Sequence, residues 1–215
     1  MVSNKYNKPK YNLLPQHPKN KMQPPQPQNQ QPQIPQAYLE LILGPMFSGK
    51  TSRILEIYKQ CLFCNIPVAV INHSSDMRYD TTSTILSTHD QHKIPCYAFT
   101  TLSDALTAPE ISSKQVILIN EGQFFEDLFP VVSEFLQQGK KIYIAGLDGD
   151  FERKKFGTIL ELIPLCDKIT KLASLCSKCK DGTPGIFSMR LTEQKQQTLV
   201  GADNYIPVCR NCYEK

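Results

Sequence analysis

The chain has 215 residues, of which 40% are hydrophobic and 20% charged, and its formal net charge at pH 7 is +4. This length suits one domain, or one domain with a small appendage, and it is long enough to bury a core. No run approaches the ~20 consecutive apolar residues that would span a bilayer, so we expect no membrane partner and a cytoplasmic protein.

The first 36 residues differ in composition from the rest. They contain eight Pro, eight Gln and five Lys, with no acidic residue and no apolar periodicity. Such a segment buries too little apolar surface to offset the entropy of ordering, so residues 1–36 are predicted to be a disordered tail. The rest of the chain therefore has 19 of the 24 basic residues and all 20 acidic residues. The folded part is thus nearly neutral, and no specific nucleic-acid binding is expected of it.

The folded part begins with a glycine-containing loop between a strand and a helix. Residues 38–43 are mostly apolar, residues 52–61 carry apolar side chains at helical spacing, and Gly44–Thr51 fit G-x-x-x-x-G-K-[ST]. Backbone N–H groups at a helix N-terminus hold phosphates, and the helix dipole favours their charge. Lys50 adds a point charge for the β- and γ-phosphates, and the Thr51 hydroxyl can ligate Mg²⁺. The stretch therefore predicts a phosphate-binding loop.

Strand and helix signals alternate through the residues that follow. Apolar runs rich in β-branched residues predict strands at 66–72, 94–99, 115–119 and 141–145. A helix is predicted at about 127–138, and another after Thr101, which forms a possible capping box with Asp104. The alternation predicts an α/β fold over residues 37–168, with a mainly parallel sheet of the P-loop NTPase type and flanking helices.

A candidate catalytic carboxylate follows the strand predicted at 115–119. Asn120 and Glu121 come directly after this strand, and open α/β sheets place their ligands at the carboxyl ends of parallel strands. A carboxylate at that position can orient or deprotonate a hydroxyl group. Glu121 is therefore the predicted general base, and a solvated loop acid is the alternative.

Two Cys-x-x-Cys pairs lie near the C-terminus, at Cys176, Cys179, Cys209 and Cys212. Four thiolates at paired spacing suit a tetrahedral structural Zn²⁺ site. The alternatives are two disulfides or four unrelated core thiols, which an intracellular chain disfavours. The pairs predict a small C-terminal zinc-binding domain over residues 169–215, with a long excursion between them. The other four cysteines are expected in the core as small hydrophobic residues, namely Cys61, Cys64, Cys96 and Cys166.

Taken together, these features resemble the cytosolic-type (type II) thymidine kinases of cells and large DNA viruses. The resemblance covers nearly all of residues 38–213 and leaves out the tail. It is carried by both cysteine pairs and by the stretches Gly44–Lys50, Asp76–Tyr79, Thr88–Asp90, Glu121–Phe125, Leu147–Gly149, Phe151–Lys154 and Gly201–Tyr205. Several motifs in one order are far more specific than any one of them alone.

The resemblance implies an activity and a set of partners. The activity is transfer of the γ-phosphoryl group of ATP, with Mg²⁺, to the 5′-hydroxyl of thymidine, in salvage for DNA synthesis. The resemblance also implies a homotetramer, one structural Zn²⁺ per subunit and feedback inhibition by thymidine triphosphate. The excursion between the cysteine pairs would be the family's lasso, a loop that folds over thymidine and reads its base largely through backbone groups.

The resemblance also assigns residues to each substrate, with Glu121 as the general base. Those implied to bind ATP are Gly44, Pro45, Met46, Phe47, Ser48, Gly49, Lys50, Thr51, Asp76, Met77, Arg78, Asn120, Glu121, Gly122 and Gln123. Those implied to bind thymidine are Phe151, which would stack on the base, and Gln196, Gln197, Thr198, Leu199, Val200 and Tyr205. Three further residues are expected to line the pocket, namely Met46, Leu147 and Ser188.

One departure from the family pattern bears on activity, because Asn120 stands where the family has Asp. Asn keeps the shape and an acceptor oxygen but removes the negative charge that helps hold Mg²⁺, which predicts weaker Mg²⁺ binding and a lower rate. Two other functions stay open. One is a catalytically weakened nucleotide-binding relative that acts as an interaction or regulatory protein through its tail. The other is a zinc-ribbon nucleic-acid binder with an ATPase core, which the nearly neutral folded part disfavours.

Overall fold

A computed structural model of the protein describes residues 36–75, 85–87, 92–199 and 201–214. Several of the predictions above concern residues outside these ranges and stay predictions. They are the tail up to residue 35, the loop residues Asp76, Met77 and Arg78, the Thr88–Asp90 motif, and Val200.

Strands and helices alternate as the sequence indicated, but the single strand predicted at 94–99 is wrong, because Lys93–Pro95 and Tyr97–Phe99 are two strands in different sheets. The strands are β1 (Tyr38–Leu43), β2 (Val68–His73), β3 (Ile85–Ser87), β4 (Lys93–Pro95), β5 (Tyr97–Phe99), β6 (Val116–Ile119), β7 (Lys141–Gly146), β8 (Lys168–Lys171), β9 (Ser174–Leu175), β10 (Pro184–Gly185), β11 (Phe187–Arg190) and β12 (Tyr205–Val208). The α-helices are α1 (Lys50–Phe63), α2 (Ser103–Thr107), α3 (Pro109–Ser112), α4 (Leu128–Gln137) and α5 (Arg210–Tyr213). Short 3₁₀ helices cover Gly122–Phe124, Ile159–Leu165 and Ala202–Asn204.

A six-stranded sheet lies at the centre, in the order β5-β2-β6-β7-β1-β8. Its strands pair in parallel throughout. The interior strand β6 reads Val-Ile-Leu-Ile and is buried along its whole length, because an interior parallel strand is covered on both faces. The predicted α/β fold with a mainly parallel sheet is confirmed.

Helices cover both faces of this sheet. The helix α1 buries Ile54, Ile57 and Cys61 in one hydrophobic cluster, and α4 buries Val132 and Phe135 in the other. A fully buried side chain of this size contributes about 1.5–3 kcal/mol, so each face is held by several such residues. With both faces occupied, the carboxyl edge of the sheet is where loops can carry ligand-binding groups.

The first turn of α2 is capped by a residue distant in sequence. The Thr101 hydroxyl donates to the Asp104 carboxylate at 2.6 Å, and no side chain of the helix itself caps its N-terminus. The predicted capping box is therefore wrong. The Asp127 carboxylate accepts instead from the N–H groups of Leu102 at 3.0 Å and Ser103 at 2.7 Å. A tertiary partner satisfies the donors that the local sequence was expected to satisfy.

The C-terminal residues add two small antiparallel sheets, in which β9 pairs with β10 and β11 with β12. The described residues from 36 onward form one compact unit. The strand β8 lies at the edge of the central sheet and spans the predicted domain boundary between residues 168 and 169. The division into domains 37–168 and 169–215 stays a prediction. Within the described ranges, no helix is both long and apolar enough to cross a membrane.

The cysteines outside the two C-terminal pairs occupy three environments. Cys61 and Cys96 are buried, as predicted, and Cys166 is half-buried. Cys64 is exposed, so the prediction of a core position is wrong for this residue. The reason is that α1 ends at Phe63, and the chain leaves the helical path before the side chain of Cys64 can follow Cys61 onto the buried face.

Candidate active site

The loop between β1 and α1 bends tightly towards the helix N-terminus. Phe47 and Gly49 take positive φ angles of 61° and 83°, and Gly49 is the N-cap residue of α1. A Cβ atom on Gly44 would lie 2.7 Å from the carbonyl oxygen of Leu172 and 2.7 Å from the hydroxyl oxygen of Ser48. Gly44 therefore has no room for a side chain, and the backbone turns through left-handed conformations at Phe47 and Gly49. The loop backbone consequently surrounds the N-terminus of α1, where the helix dipole favours an anion.

Lys50 and Thr51 form the first turn of α1. Lys50 is only 9% exposed, and its ammonium group donates to the carbonyl oxygen of Pro45 at 2.7 Å. The Thr51 hydroxyl lies 3.5 Å from Oδ1 of Asn120, to which it donates. The loop thus presents a cation and a hydroxyl oxygen next to the anion-favouring helix end.

Asn120 follows β6 and is only 1% exposed. Its side-chain nitrogen donates to Oδ1 of Asn72 at 2.9 Å, and its backbone N–H donates to the carbonyl oxygen of Ile71 at 2.8 Å. Its amide oxygen faces Thr51. A neutral amide in this sealed position avoids the desolvation cost that a carboxylate would carry there.

Glu121 has a left-handed backbone, with φ 53° and ψ 43°, and it is 7% exposed. For a residue other than glycine this conformation is strained and persists only where its surroundings hold it. One such contact is from Gln123, whose amide nitrogen donates to the Glu121 carboxylate at 2.7 Å. The Gln123 oxygen in turn accepts from the N–H of Leu147 at 3.0 Å. Gln123 therefore fixes the direction of the candidate base.

A cavity of about 310 Å³ opens over this loop. Its wall is formed by Met46, Phe47, Ser48, Gly49, Lys50, Thr51, Ser52, Ser75, Glu121, Phe124, Leu147, Gly149, Asp150, Phe151, Phe156, Ser188, Gln197, Thr198, Leu199, Gly201 and Tyr205. The glycine-containing loop, two carboxylates and five aromatic rings thus face one space. Ser188, in β11, accepts from the N–H of Met46 at 2.9 Å and so ties the C-terminal residues to the loop.

The strip of residues 196–199 is held against this cavity by polar contacts. The side-chain nitrogen of Gln197 donates to Oδ2 of Asp150 at 2.7 Å. Arg190, at the end of β11, donates to backbone carbonyl groups of the strip, among them that of Gln197 at 3.0 Å. Its guanidinium carbon lies 3.7 Å from the ring centroid of Phe151. A set of side chains therefore fixes both the strip and an aromatic part of the wall.

The four C-terminal cysteines lie close enough together to hold a metal ion. Their sulfur atoms are all within 4.8 Å of one another, with Cys179 Sγ 3.8 Å from Cys209 Sγ and 3.4 Å from Cys212 Sγ. A tetrahedron with Zn–S bonds of ~2.3 Å has sulfur–sulfur edges of about 3.8 Å, so the set fits that ion. Burial opposes ionisation of the Cys176 thiol, but backbone N–H groups around its sulfur lower its pKa to about 6.

Comparison with known proteins decides the family. Residues 37–213 match the thymidine kinase family. The chain belongs to the thymidine kinase family. Thymidine kinases of Sheeppox virus (strain KS-1) and Variola virus (isolate Human/India/Ind3/1967) are 39% and 40% identical to it over 178 residues, which are 82% of this chain and 96% of each relative. The thymidine kinase of Oryza sativa subsp. japonica is 40% identical over 189 residues, 85% of this chain and 68% of that protein.

Among solved structures, domain III of the Thermotoga maritima replication initiation protein DnaA aligns with 62% of this chain and 54% of its own. The sequence identity is 17% and the TM-score 0.39, a likeness too distant to inform function. The viral and plant thymidine kinases are therefore the informative relatives.

In this member of the thymidine kinase family, the cavity collects many of the residues predicted to bind substrates. Those on its wall are Met46, Phe47, Ser48, Gly49, Lys50, Thr51, Glu121, Phe151, Gln197, Thr198, Leu199 and Tyr205, together with the expected pocket residues Leu147 and Ser188. Those not on the wall are Gly44, Pro45, Asn120, Gly122, Gln123 and Gln196. Gly122 packs tightly instead, since a Cβ atom there would lie 2.6 Å from Ile144.

Several wall residues were not predicted from the sequence. Phe124 lies in the Glu121–Phe125 stretch and could have been found from it. Asp150 lies between the Leu147–Gly149 and Phe151–Lys154 stretches and could have been found from them as well. Phe156 carried no local signal, because only the tertiary fold brings it to the cavity. The rings of Phe124 and Phe156 meet edge to face with centroids 5.5 Å apart. Arg190 was also missed, since nothing in its sequence neighbours distinguishes it from a surface arginine.

Proposed function

We propose that the chain transfers the γ-phosphoryl group of ATP to the 5′-hydroxyl of thymidine, giving thymidine monophosphate and ADP for DNA synthesis. Its family supports this, and one observation carries it: Lys50, Glu121 and Phe151 all face one cavity of about 310 Å³. A phosphate-binding cation, a carboxylate and a ring that can stack on a base thus surround the space where a 5′-hydroxyl would meet a γ-phosphate. This arrangement favours the kinase over a nucleotide-binding protein without turnover.

Positioning and charge neutralisation account for most of the catalysis in phosphoryl transfer. The loop N–H groups and Lys50 would bind the β- and γ-phosphates, and the Thr51 hydroxyl would hold Mg²⁺ with the Asn120 oxygen behind it. Oxygen donors of this kind suit Mg²⁺. When bound, the ion neutralises charge that develops between the β- and γ-phosphates. Asp76, Met77 and Arg78 are proposed to lie at the nucleotide phosphates.

Glu121 is proposed to act as the general base. Its carboxylate would accept the proton of the 5′-hydroxyl while that oxygen forms a bond to the γ-phosphorus and the bond to the leaving oxygen of ADP breaks. The contact with Gln123 at 2.7 Å holds the carboxylate in one direction at the wall of the cavity. The buried position strengthens this interaction by excluding water.

Thymidine would lie between the aromatic wall and the strip at residues 196–200. Phe151 would stack on the base, and Tyr205 would lie close to the sugar or base. We propose that backbone groups of the strip read the base. This accounts for polar side chains at Gln196, Gln197 and Thr198, because backbone reading places no demand on side-chain polarity.

We further propose that the ion at the four cysteines is structural Zn²⁺. In line with the resemblance to the type II enzymes, the protein is proposed to be a cytoplasmic homotetramer that is inhibited by thymidine triphosphate. Zinc suits the site because four thiolates complete a tetrahedron and leave no position open for a substrate.

The test is ADP production from Mg-ATP by the full-length chain, with and without thymidine, alongside Glu121→Gln. Thymidine is expected to stimulate turnover in the native chain. Glu121→Gln keeps the shape and the contact with Gln123 but removes the base, so kcat is expected to fall by roughly 10²–10⁴-fold.

Glu152→Gln is the matched control, since the Glu152 side chain is 50% exposed and does not line the cavity. It is expected to turn over at the native rate. If the native chain binds ATP but makes no ADP with thymidine, the kinase proposal is wrong. The alternative function, a nucleotide-binding interaction or regulatory protein without kinase activity, is then favoured. If Glu121→Gln keeps the native rate, another group is the base.

A further inference from the structure

The strip that we propose to face the base is held by one side chain that does not line the cavity. Arg190 Nη1 donates to the carbonyl oxygens of Gln194, at 2.8 Å, and Gln196. Its Nη2 donates to the carbonyl oxygen of Gln197 at 3.0 Å. Three carbonyl groups of one loop are thus bound by one guanidinium, whose planar fork of five N–H donors makes such multiple contacts possible.

The same guanidinium also supports the aromatic wall. Its central carbon lies 3.7 Å from the ring centroid of Phe151 and 5.1 Å from that of Tyr205. Nη2 also donates to the Tyr205 hydroxyl. Phe151 and Tyr205 line the cavity and Arg190 does not, so the guanidinium backs the wall from outside. A cation over an aromatic face is attracted by the ring quadrupole, more strongly where water is excluded.

A second contact holds the strip through its side chain. Gln197 donates to Oδ2 of Asp150 at 2.7 Å, and Asp150 is 7% exposed. Oδ1 of Asp150 accepts from the N–H groups of Glu152 and Lys154, both at 2.9 Å. The acceptor is therefore itself fixed in direction. Within the strip, two carbonyl groups and one side-chain amide are therefore held, and Arg190 also binds the carbonyl group of Gln194 just before it.

We propose that Arg190 is the positioning residue for the pyrimidine base. It joins the strip, Phe151 and Tyr205 into one wall, so affinity for the nucleoside depends on a guanidinium that lies behind that wall. The inference rests on the proposed function for the identity of the ligand. A loop without this clamp would have to be ordered when the base binds, and the entropy of that ordering would weaken binding. Lysine cannot substitute, because an ammonium group has neither the fork nor the flat face.

The test is Arg190→Lys in the full-length chain, with Arg153→Lys as the matched control. Arg153 also stacks on an aromatic residue, with its guanidinium carbon 4.4 Å from the Tyr213 ring, and pairs with Glu214. Its guanidinium lies over the rings of Phe187 and Tyr213, away from the strip. Its backbone N–H donates to the carbonyl oxygen of Asp150 at 3.0 Å, a contact that Arg153→Lys keeps. In Arg190→Lys, KM for thymidine is expected to rise roughly tenfold or more, because several charge-assisted hydrogen bonds are lost, with kcat and KM for ATP unchanged.

Hydrogen exchange without ligand separates this inference from the proposed function. A peptide covering residues 191–199 is expected to exchange faster in Arg190→Lys than in the native chain and Arg153→Lys, while a peptide from α4 does not change. Gln197→Glu is the second variant, since it sets two carboxylates against each other at Asp150 and is expected to give the same rise in KM for thymidine.

Unchanged exchange of residues 191–199 in Arg190→Lys overturns the inference. Faster exchange with an unchanged KM for thymidine also overturns it, because the clamp would then have no bearing on the base. A fall in kcat alone would assign Arg190 to the chemical step instead. A native chain that does not phosphorylate thymidine overturns the proposed function, and the exchange comparison then still decides whether Arg190 holds the strip.

Discussion

Asn120 and Asn72 form a neutral pair at the position where related thymidine kinases are expected to carry a charge. The Asn120 oxygen faces Thr51, and its nitrogen donates to the Asn72 oxygen at 2.9 Å. This orientation of the Asn120 amide suits cation binding, because its oxygen, and not its N–H group, faces the Thr51 hydroxyl. The pair therefore keeps an acceptor oxygen where we propose that Mg²⁺ binds, without a negative charge.

Asn120→Asp is expected to lower the Mg²⁺ concentration for half-maximal turnover by several-fold. The added charge strengthens attraction for the ion, and Asn72 can retain its hydrogen bond by turning its amide so that nitrogen faces the new carboxylate. The measurement is the rate of thymidine-dependent ADP production as Mg²⁺ is titrated at fixed ATP.

Asn72→Asp is the control for charge alone, since it adds the same charge one amide farther from Thr51 and still accepts from the Asn120 nitrogen. A smaller change is expected there. An unchanged Mg²⁺ midpoint in Asn120→Asp would show that the charge at this position does not reach the ion.

The predictable residues of the site are those whose chemistry is local. Lys50 and Thr51 lie in a contiguous motif, and Glu121 follows an apolar strand, so their neighbours in sequence identify them. Arg190 could not be found in this way, because its carbonyl partners lie 4–7 residues on, in a stretch without regular secondary structure, and its aromatic partner Phe151 comes from another part of the chain. Asp150 follows β7 next to Phe151, but its partner Gln197 lies 47 residues away.

At the scale of elements, α2 and α4 are joined by the carboxylate of Asp127. This group starts α4, yet its hydrogen bonds go to the first turn of α2, including the Ser103 hydroxyl at 2.6 Å. Burial raises the pKa of Asp127, but the hydrogen bonds from Ser103 and Leu102 outweigh it and lower the pKa below its usual value. Ionised Asp127 therefore stabilises the folded chain.

Asp127→Asn is expected to lower the free energy of unfolding at pH 7 by about 1 kcal/mol, the usual size of a lost cap. Since the folded pKa lies below the unfolded one, the stabilisation is complete above the unfolded value of ~3.9 and is lost as pH falls through the folded pKa. The difference between the native chain and Asp127→Asn should therefore shrink towards zero below that range, as measured by urea unfolding at several pH values.

Asp104→Asn provides the comparison within α2, since Asp104 is an exposed carboxylate that accepts from the Thr101 hydroxyl. We expect its free energy of unfolding to stay within ~0.5 kcal/mol of the native value. If the free energy of unfolding of Asp127→Asn stays equally far below the native value at low pH, the charge of Asp127 is not what stabilises α2.

The strands were predictable because parallel interior strands are buried on both faces and read as continuous apolar runs. Residues 115–119 and 141–145 correspond closely to β6 and β7 for this reason. The 3₁₀ helix Ile159–Leu165 and the strands β9 and β10 have no such pattern. They are short, and tertiary contacts determine their conformation more than local preference does.

At the scale of the whole molecule, the cysteine cluster is linked at two points to the cavity that we propose as the active site. Tyr213, next to Cys212, donates its hydroxyl to the carbonyl oxygen of Phe151 at 2.6 Å. Ser188, in the strand β11 that pairs with β12, accepts from the N–H of Met46 in the phosphate-binding loop. The end of the chain that could hold a metal therefore supports both the aromatic wall and the loop.

Cys179→Ser is expected to remove bound metal and to lower the melting temperature by roughly 5 °C or more, because metal binding contributes to folding where the site forms only in the folded state. KM for thymidine should rise as well, since Phe151 and Ser188 lose their support. Metal content per chain, thermal melting and KM measure the three effects.

Cys64→Ser is the control, since it removes an exposed thiol from the Cys-x-x-Cys pair formed by Cys61 and Cys64, and it should change none of these three quantities. A native chain that contains no metal, and melts at the same temperature as Cys179→Ser, would show that the four thiols stabilise the fold without an ion.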